Sequence, residues 1–176
     1  ALITYDRLSE PTQDRYIQAA ATYDAIMLRH LRKMLNVQET IDALERLDVK
    51  WRGDALERKV LITLAKLYTD QKQYDQTLRT WKSLLQGFPG DPDTLTIAGD
   101  MTEMFEDLFL HGEADKMPPL KSLGLFYEFR ELTPIGAKGD EMIQKLADRL
   151  AAVDLLDRAT QLLEHQIKFR VSGEVR

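Results

Sequence analysis

The sequence predicts an all-α protein, one domain made of antiparallel helix hairpins in succession. Three observations lead there. Apolar residues recur three or four positions apart along most of the chain, and no stretch alternates as a strand does. Glycine (9) and proline (6) are sparse among 176 residues, which speaks against a turn-rich β fold. A set of apolar and small positions also recurs with the same spacing 82 residues later, as Leu61, Leu64, Ala65 and Ile143, Leu146, Ala147. Hairpins following one another point to an α-solenoid rather than a closed four-helix bundle.

Each element has its own start and stop signals. Pro11 suits the first turn of a helix running to about Leu35, with Tyr16, Ala20, Tyr23, Met27, Leu31 and Met34 on one face. Asn36 and Glu39 form a capping-box pattern before a helix carrying Ile41, Leu44 and Leu47. Asp54 and Glu57 repeat that signal after Trp51-Arg52-Gly53. The next two helices run to about Asp70 and about Gly87, separated by Gln71-Lys72-Gln73. Phe88-Pro89-Gly90-Asp91-Pro92 is a strong stop. Further helices are expected over 93–111, 119–132, 140–152 and 155–170, with Gly136 and Gly139 flanking a loop before the third of these.

The recurring pattern extends through both hairpins. The first reads Leu61, Leu64-Ala65, Tyr68, Tyr74, Thr77, Trp81, Leu84 and Pro89. The second reads Ile143, Leu146-Ala147, Leu150, Leu156, Ala159 and Leu163. Small residues (Ala65 with Thr77, Ala147 with Ala159) sit where two helices cross, so the backbones approach while bulky neighbours fill the groove. This pattern resembles the tetratricopeptide repeat. Leu64-Ala65, Tyr68, Tyr74, Trp81 and Pro89 carry the resemblance over 58–91, and Leu146-Ala147, Leu150, Leu156 and Ala159 carry it over 140–173. The sequence departs from the family at Leu61, where tryptophan is common, at Lys72, where a turn glycine is usual, and at Thr77, where alanine is usual. Two family periods come to about 68 residues, so about 14 extra lie between the units. They belong to an irregular hairpin over 92–139, with Phe126 and Phe129 in its second helix. Residues 11–50 read as a further hairpin or cap.

The resemblance implies a right-handed solenoid whose concave surface, lined by the first helix of each hairpin, receives a peptide or helix of a partner protein. Lys59, Ile62, Lys66 and Thr69 would project there from the first unit, and Glu141, Gln144 and Asp148 from the last. The only asparagine is Asn36, outside both units, so the family's carboxylate-clamp specificity is not expected.

Charge adds a second candidate surface. Lysine and arginine total 24 against 29 acidic residues, a net charge of −5, which argues against a dominant nucleic-acid role. Between Asp91 and Asp115 lie eight acidic residues and no lysine or arginine. That stretch holds −8, so the rest of the chain sums to +3. A solvated helix face is the default. The functional alternative is an acidic strip, centred on Glu103, Glu106 and Asp107, that attracts a basic partner. The basic run Arg29-His30-Leu31-Arg32-Lys33 suits a helix C-terminus. Phe105, Leu108, Phe109 and Leu110 form a denser apolar group than one hairpin needs, to be covered by the irregular loop, a missing repeat or a second copy.

Chemistry of other kinds finds little support. With no cysteine there are no disulfides, thiolate metal sites or cysteine nucleophiles, and both cytoplasmic and periplasmic chains can lack cysteine. His30, His111 and His165 are scattered, and His111 with Glu113 and Asp115 reads as a solvated loop rather than a cation site. Gly136-Ala137-Lys138-Gly139 lacks the spacing of a phosphate loop. No apolar run nears the roughly 20 residues a membrane helix needs. The expected function is a non-catalytic interaction scaffold without metal or cofactor, and the runner-up is a helical accessory domain of a larger enzyme or transcriptional regulator. The opening Ala1-Leu2-Ile3 and the ending Gly173-Glu174-Val175-Arg176 read as a fragment of a longer repeat protein.

The small–small crossings give a direct test. Replacing Ala65 or Ala147 by leucine overfills a close contact and is expected to cost about 1–3 kcal/mol in urea melts. Unchanged melting would mean that neither position lies at a crossing.

Overall fold

The computed structural model describes residues 2–8 and 15–173, and all of its regular structure is helical, with no strand among the described residues. Pro11, the terminal segment 174–176 and the side chain of His165 lie outside that description. The chain divides after Ile97 into two compact units. The first holds α1 (Leu2–Leu8), α2 (Arg15–Leu31), α3 (Val37–Lys50), α4 (Ala55–Asp70) and α5 (Tyr74–Gly87). The second holds α6 (Ile97–Phe109), which starts at the division, α7 (Pro119–Glu128), α8 (Ala137–Ala152) and α9 (Leu156–Gly173).

In the first unit α1 packs on α2, α2 on α3, α3 on α4 and α4 on α5. Its core joins Tyr23 and Ile26 of α2, Ile41, Leu44 and Leu47 of α3, and Val60, Leu64 and Tyr68 of α4. The expected capping box is complete. Glu39 N–H donates to Asn36 Oδ1 at 2.9 Å, and Asn36 N–H donates to Glu39 Oε2 at 2.7 Å. At α4 the signal works differently. Asp54 Oδ1 accepts from the amides of Leu56 (2.8 Å) and Glu57 (3.2 Å) and from Trp51 Nε1–H (2.9 Å), while the Glu57 carboxylate reaches back to the Gly53 amide and to Arg52. Burial pushes the Asp54 carboxyl up, but these three donors outweigh it and hold the group below its usual range. Asp48, bridged to Arg52 at 3.0 Å, shifts the other way. Burial raises its carboxyl and Glu57 adds to the rise, with Arg52 opposing. The Tyr68 hydroxyl donates to Glu45 Oε1 at 2.6 Å and ties α4 to α3; burial, then that carboxylate, pushes its pKa up.

The hairpins α4–α5 and α8–α9 have the same kind of turn. Lys72 and Asp154, 82 residues apart, are both left-handed, with φ of 55° and 62°. Lys72 N–H donates to Thr69 O and Gln73 N–H to Tyr68 O; at the second site Asp154 N–H donates to Ala151 O and Leu155 N–H to Leu150 O. This is the Schellman closure of a helix end, built here without glycine. The same closure ends α2 at Lys33 (φ 57°), with Met34 N–H donating to Arg29 O. The small crossing residues are enclosed, Ala65 and Ala147 both at 2% exposure and Thr77 at 0%. Trp81 is only half-buried, and Leu78 and Leu84 are the buried apolar residues of α5. Leu156, the counterpart of Tyr74, is exposed at 57%.

The second unit is less regular than its pattern. The helix expected over 93–111 is a 3-10 turn, Pro92–Thr94, followed by the shorter α6, because the Thr94 hydroxyl donates to Asp91 O at 2.8 Å and closes the turn on itself. The helix expected to end near 132 stops at Glu128 and continues as a 3-10 turn over Arg130–Leu132. Gly139 lies inside the first turn of α8, not in a loop. A Cβ there would stand 2.0 Å from the Pro134 carbonyl oxygen, so only glycine fits. The aromatic group is covered within the unit: Phe105, Phe109 and Phe126 form a triangle with ring centroids 4.7–5.7 Å apart.

Arg149 of α8 holds the connection between α6 and α7. Its guanidinium donates to the carbonyls of Ala114 and Met117 and, at 3.0 Å, to Ser122 Oγ, with Asp115 3.7 Å from Nε. One turn earlier Lys145 donates to Leu110 O at 2.8 Å, beyond the end of α6.

Two outcomes follow. Lys72→Gly relieves a left-handed lysine and is expected to stabilise the protein by about 1 kcal/mol in urea melts. Arg149→Met keeps the aliphatic stem but strips buried acceptors of their donor, so it is expected to cost about 2–4 kcal/mol, with faster amide exchange over 110–117.

Candidate partner-binding grooves

Lys59 and Ile62 lie on α4 and face α2 across a groove of about 600 Å³. Tyr16, Ala20 and Tyr23 supply its other wall. The groove is closed below by a hydrogen bond between Tyr23 Oη and Thr63 Oγ1 at 2.8 Å. Lys59 Nζ sits 4.4 Å above the Tyr23 ring and 3.7 Å from Asp24 Oδ1. A cation over an aromatic face is held without being buried, so Lys59 forms a positioned rim rather than a free tether. Lys66, one turn on, is exposed. Thr69 is turned away from this stripe: its hydroxyl donates to Ala65 O at 2.8 Å and lies 3.4 Å from Thr77 Oγ1, which places it at the α4–α5 crossing.

In the second unit Glu141, Gln144 and Asp148 are all exposed along α8. They are the positions of Lys59, Ile62 and Lys66 shifted by 82 residues. Glu141 pairs with Lys145 at 2.9 Å, and Gln144 Nε2–H donates to Asp148 Oδ1 at 2.7 Å. Asp148 borders a groove shared with His111, Lys145 and Arg149.

The carboxylates of the acidic stretch meet different partners. Asp91 pairs with Arg58 at 2.5 Å in the first unit. Glu106 accepts from Lys138 at 3.0 Å, Asp107 meets His111 Nδ1 at 2.7 Å, and Glu113 pairs with Lys116 at 2.5 Å. The side chain of Asp93 lies outside the description. Asp100 and Glu103 are exposed and have no ion-pair partner among the described residues. Four of the eight carboxylates thus meet a lysine or arginine, from Arg58, Lys116, Lys138 and Arg149.

His30 and His111 both bond to side chains near helix ends. His30 Nδ1 lies 2.9 Å from the Thr40 hydroxyl, which itself donates to Asn36 O, so the basic run at the end of α2 is tied to the start of α3. No group of three or more His, Asp or Glu residues suited to a metal ion occurs among the described residues. No helix among them is long and apolar enough to cross a membrane.

Sequence reasoning missed Tyr23 and Arg149. Tyr23 was legible only as one more apolar position of a helix face. Arg149 had no signal at all, because its acceptors are carbonyls of a loop whose path no motif encodes. Compared with protein-family models, curated proteins and solved structures, the chain matches none.

Proposed function

We propose that the protein is an interaction scaffold of tetratricopeptide-like hairpins that binds a peptide or helix of a partner protein along the first helices of its hairpins. The observation that supports this most is the equivalence of two outward stripes. Lys59, Ile62 and Lys66 on α4 and Glu141, Gln144 and Asp148 on α8 occupy the same repeat positions, and all are exposed or half-exposed. Residues that build a hairpin are buried at both sites, whereas these three are free to differ, and they differ in charge. Two lysines stand where the other helix has two carboxylates, so the two stripes favour bound segments of opposite charge. The groove between α2 and α4 adds an aromatic and aliphatic floor of the kind that anchors a partner side chain.

The test is affinity capture with matched variants, each checked for unchanged helicity by circular dichroism. Ile62→Asp with Lys66→Glu, and separately Gln144→Lys with Asp148→Lys, are expected to release a partner that the parent retains. A control at exposed Gln86 on α5, Gln86→Glu, is expected to keep it. A partner retained equally by all four proteins would show that these stripes are not the binding surface.

A further inference from the structure

A different face of α2 forms a second groove, with α3, of about 630 Å³. Its rim carries Arg15, Arg46 and Lys50, its floor is Ala19, Ala43 and Leu47, and Trp51 stands at one end. No acidic side chain lines it among the described residues. Several cations elsewhere in this unit have acidic partners: Arg52 meets Asp48 and Glu57, Arg58 meets Asp91, and Lys59 meets Asp24. Arg15, Arg46 and Lys50 have none among the described residues. Arg15 also stands in the first turn of α2, where the helix dipole favours an anion, and that turn holds no acidic residue. Three cations gathered without compensation over an apolar floor form a surface complementary to a ligand that is acidic on its edges and aliphatic between them.

We propose that this groove binds an acidic amphipathic helix of a partner protein. The spacing suits one. Arg46 and Lys50 are one turn apart on α3, about 6 Å along the axis, which matches carboxylates at i and i+4 of a bound helix. The two alanines of the floor leave room for a leucine-sized side chain between those carboxylates. A nucleic-acid backbone would satisfy the cations but place nothing apolar on Ala19, Ala43 and Leu47. Trp51 is held in place, edge-on to Tyr16 with centroids 5.7 Å apart and bonded through Nε1–H to Asp54, so it walls the groove without rearrangement. The site shares no residue with the α2–α4 groove and does not depend on the function assigned to it.

Trp51 provides the readout. In a Trp81→Phe background it is the sole tryptophan. The probe is a synthetic helix-forming peptide with glutamates at i and i+4 flanking leucines, compared with its lysine counterpart and with a single-stranded oligonucleotide of equal charge. The glutamate peptide is expected to change Trp51 emission saturably, with affinity falling as salt rises. Arg46→Glu with Lys50→Glu is expected to weaken it at least about tenfold. Arg46→Lys with Lys50→Arg is expected to retain binding. Circular dichroism confirms that each variant is folded. Lack of saturable binding, equal binding by the charge-reversed protein, or tighter binding of the oligonucleotide than of the peptide would each overturn the proposal.

Discussion

Every helix of this protein must find partners for the backbone groups its ends leave open, and that constraint organises both units. The first four amides and last four carbonyls of a helix have no partner inside it. Where the connection is three to five residues long, local chemistry suffices: Asn36 and Asp54 serve the starts of α3 and α4, and left-handed residues close α2, α4 and α8. Where the connection is longer, between α6 and α7, the carbonyls lie too far from any cap. There Lys145 and Arg149 reach across from α8 to supply the donors. Local capping and long-range clamping answer the same demand at two loop lengths.

That division also decides what could be read in advance. Asn36 with Glu39 and Asp54 with Glu57 were legible because a cap and its acceptor lie within one helical turn. The burial of Ala65 and Ala147 was legible because small and apolar residues recur around both with one spacing. The shared turn was half-visible: the spacing was there, but lysine and aspartate at the left-handed position obscured it, since glycine is the usual marker. The break after Thr94, the early end of α7 and the clamp at Arg149 were not legible. They arise from one hydroxyl closing a turn, from backbone fit, and from a side chain meeting carbonyls about thirty residues away, none of which leaves a periodic trace.

The surfaces follow a related logic. The acidic stretch looked like a single field because sequence counts only neighbours. Folding gives several of its carboxylates cations drawn from 58, 138 and 149, and only part of it faces solvent without a counter-charge. Conversely, Arg15, Arg46 and Lys50 are unremarkable along the chain and become a cluster only when α2 and α3 lie side by side. Linear charge runs overstate some fields and conceal others, because pairing across helices is set by packing and not by order.

The clamp at Arg149 bears on how the second unit assembles. Its acceptors at Ala114, Met117 and Ser122 precede it by 35, 32 and 27 residues, whereas capped helices close on contacts within one turn. Forming such contacts requires the intervening chain to be looped first, an entropic cost borne before any stabilisation is returned. The turn at 113–116 has local bonds of its own, Asp115 N–H to Gly112 O and Met117 N–H to Ala114 O, but its contacts with Arg149 can form only once α8 is made. At the described helix ends of the first unit most contacts close within about one turn, although Arg58 of α4 also meets Asp91, 33 residues later, so the two units differ in how many of their helix-end contacts reach far along the chain.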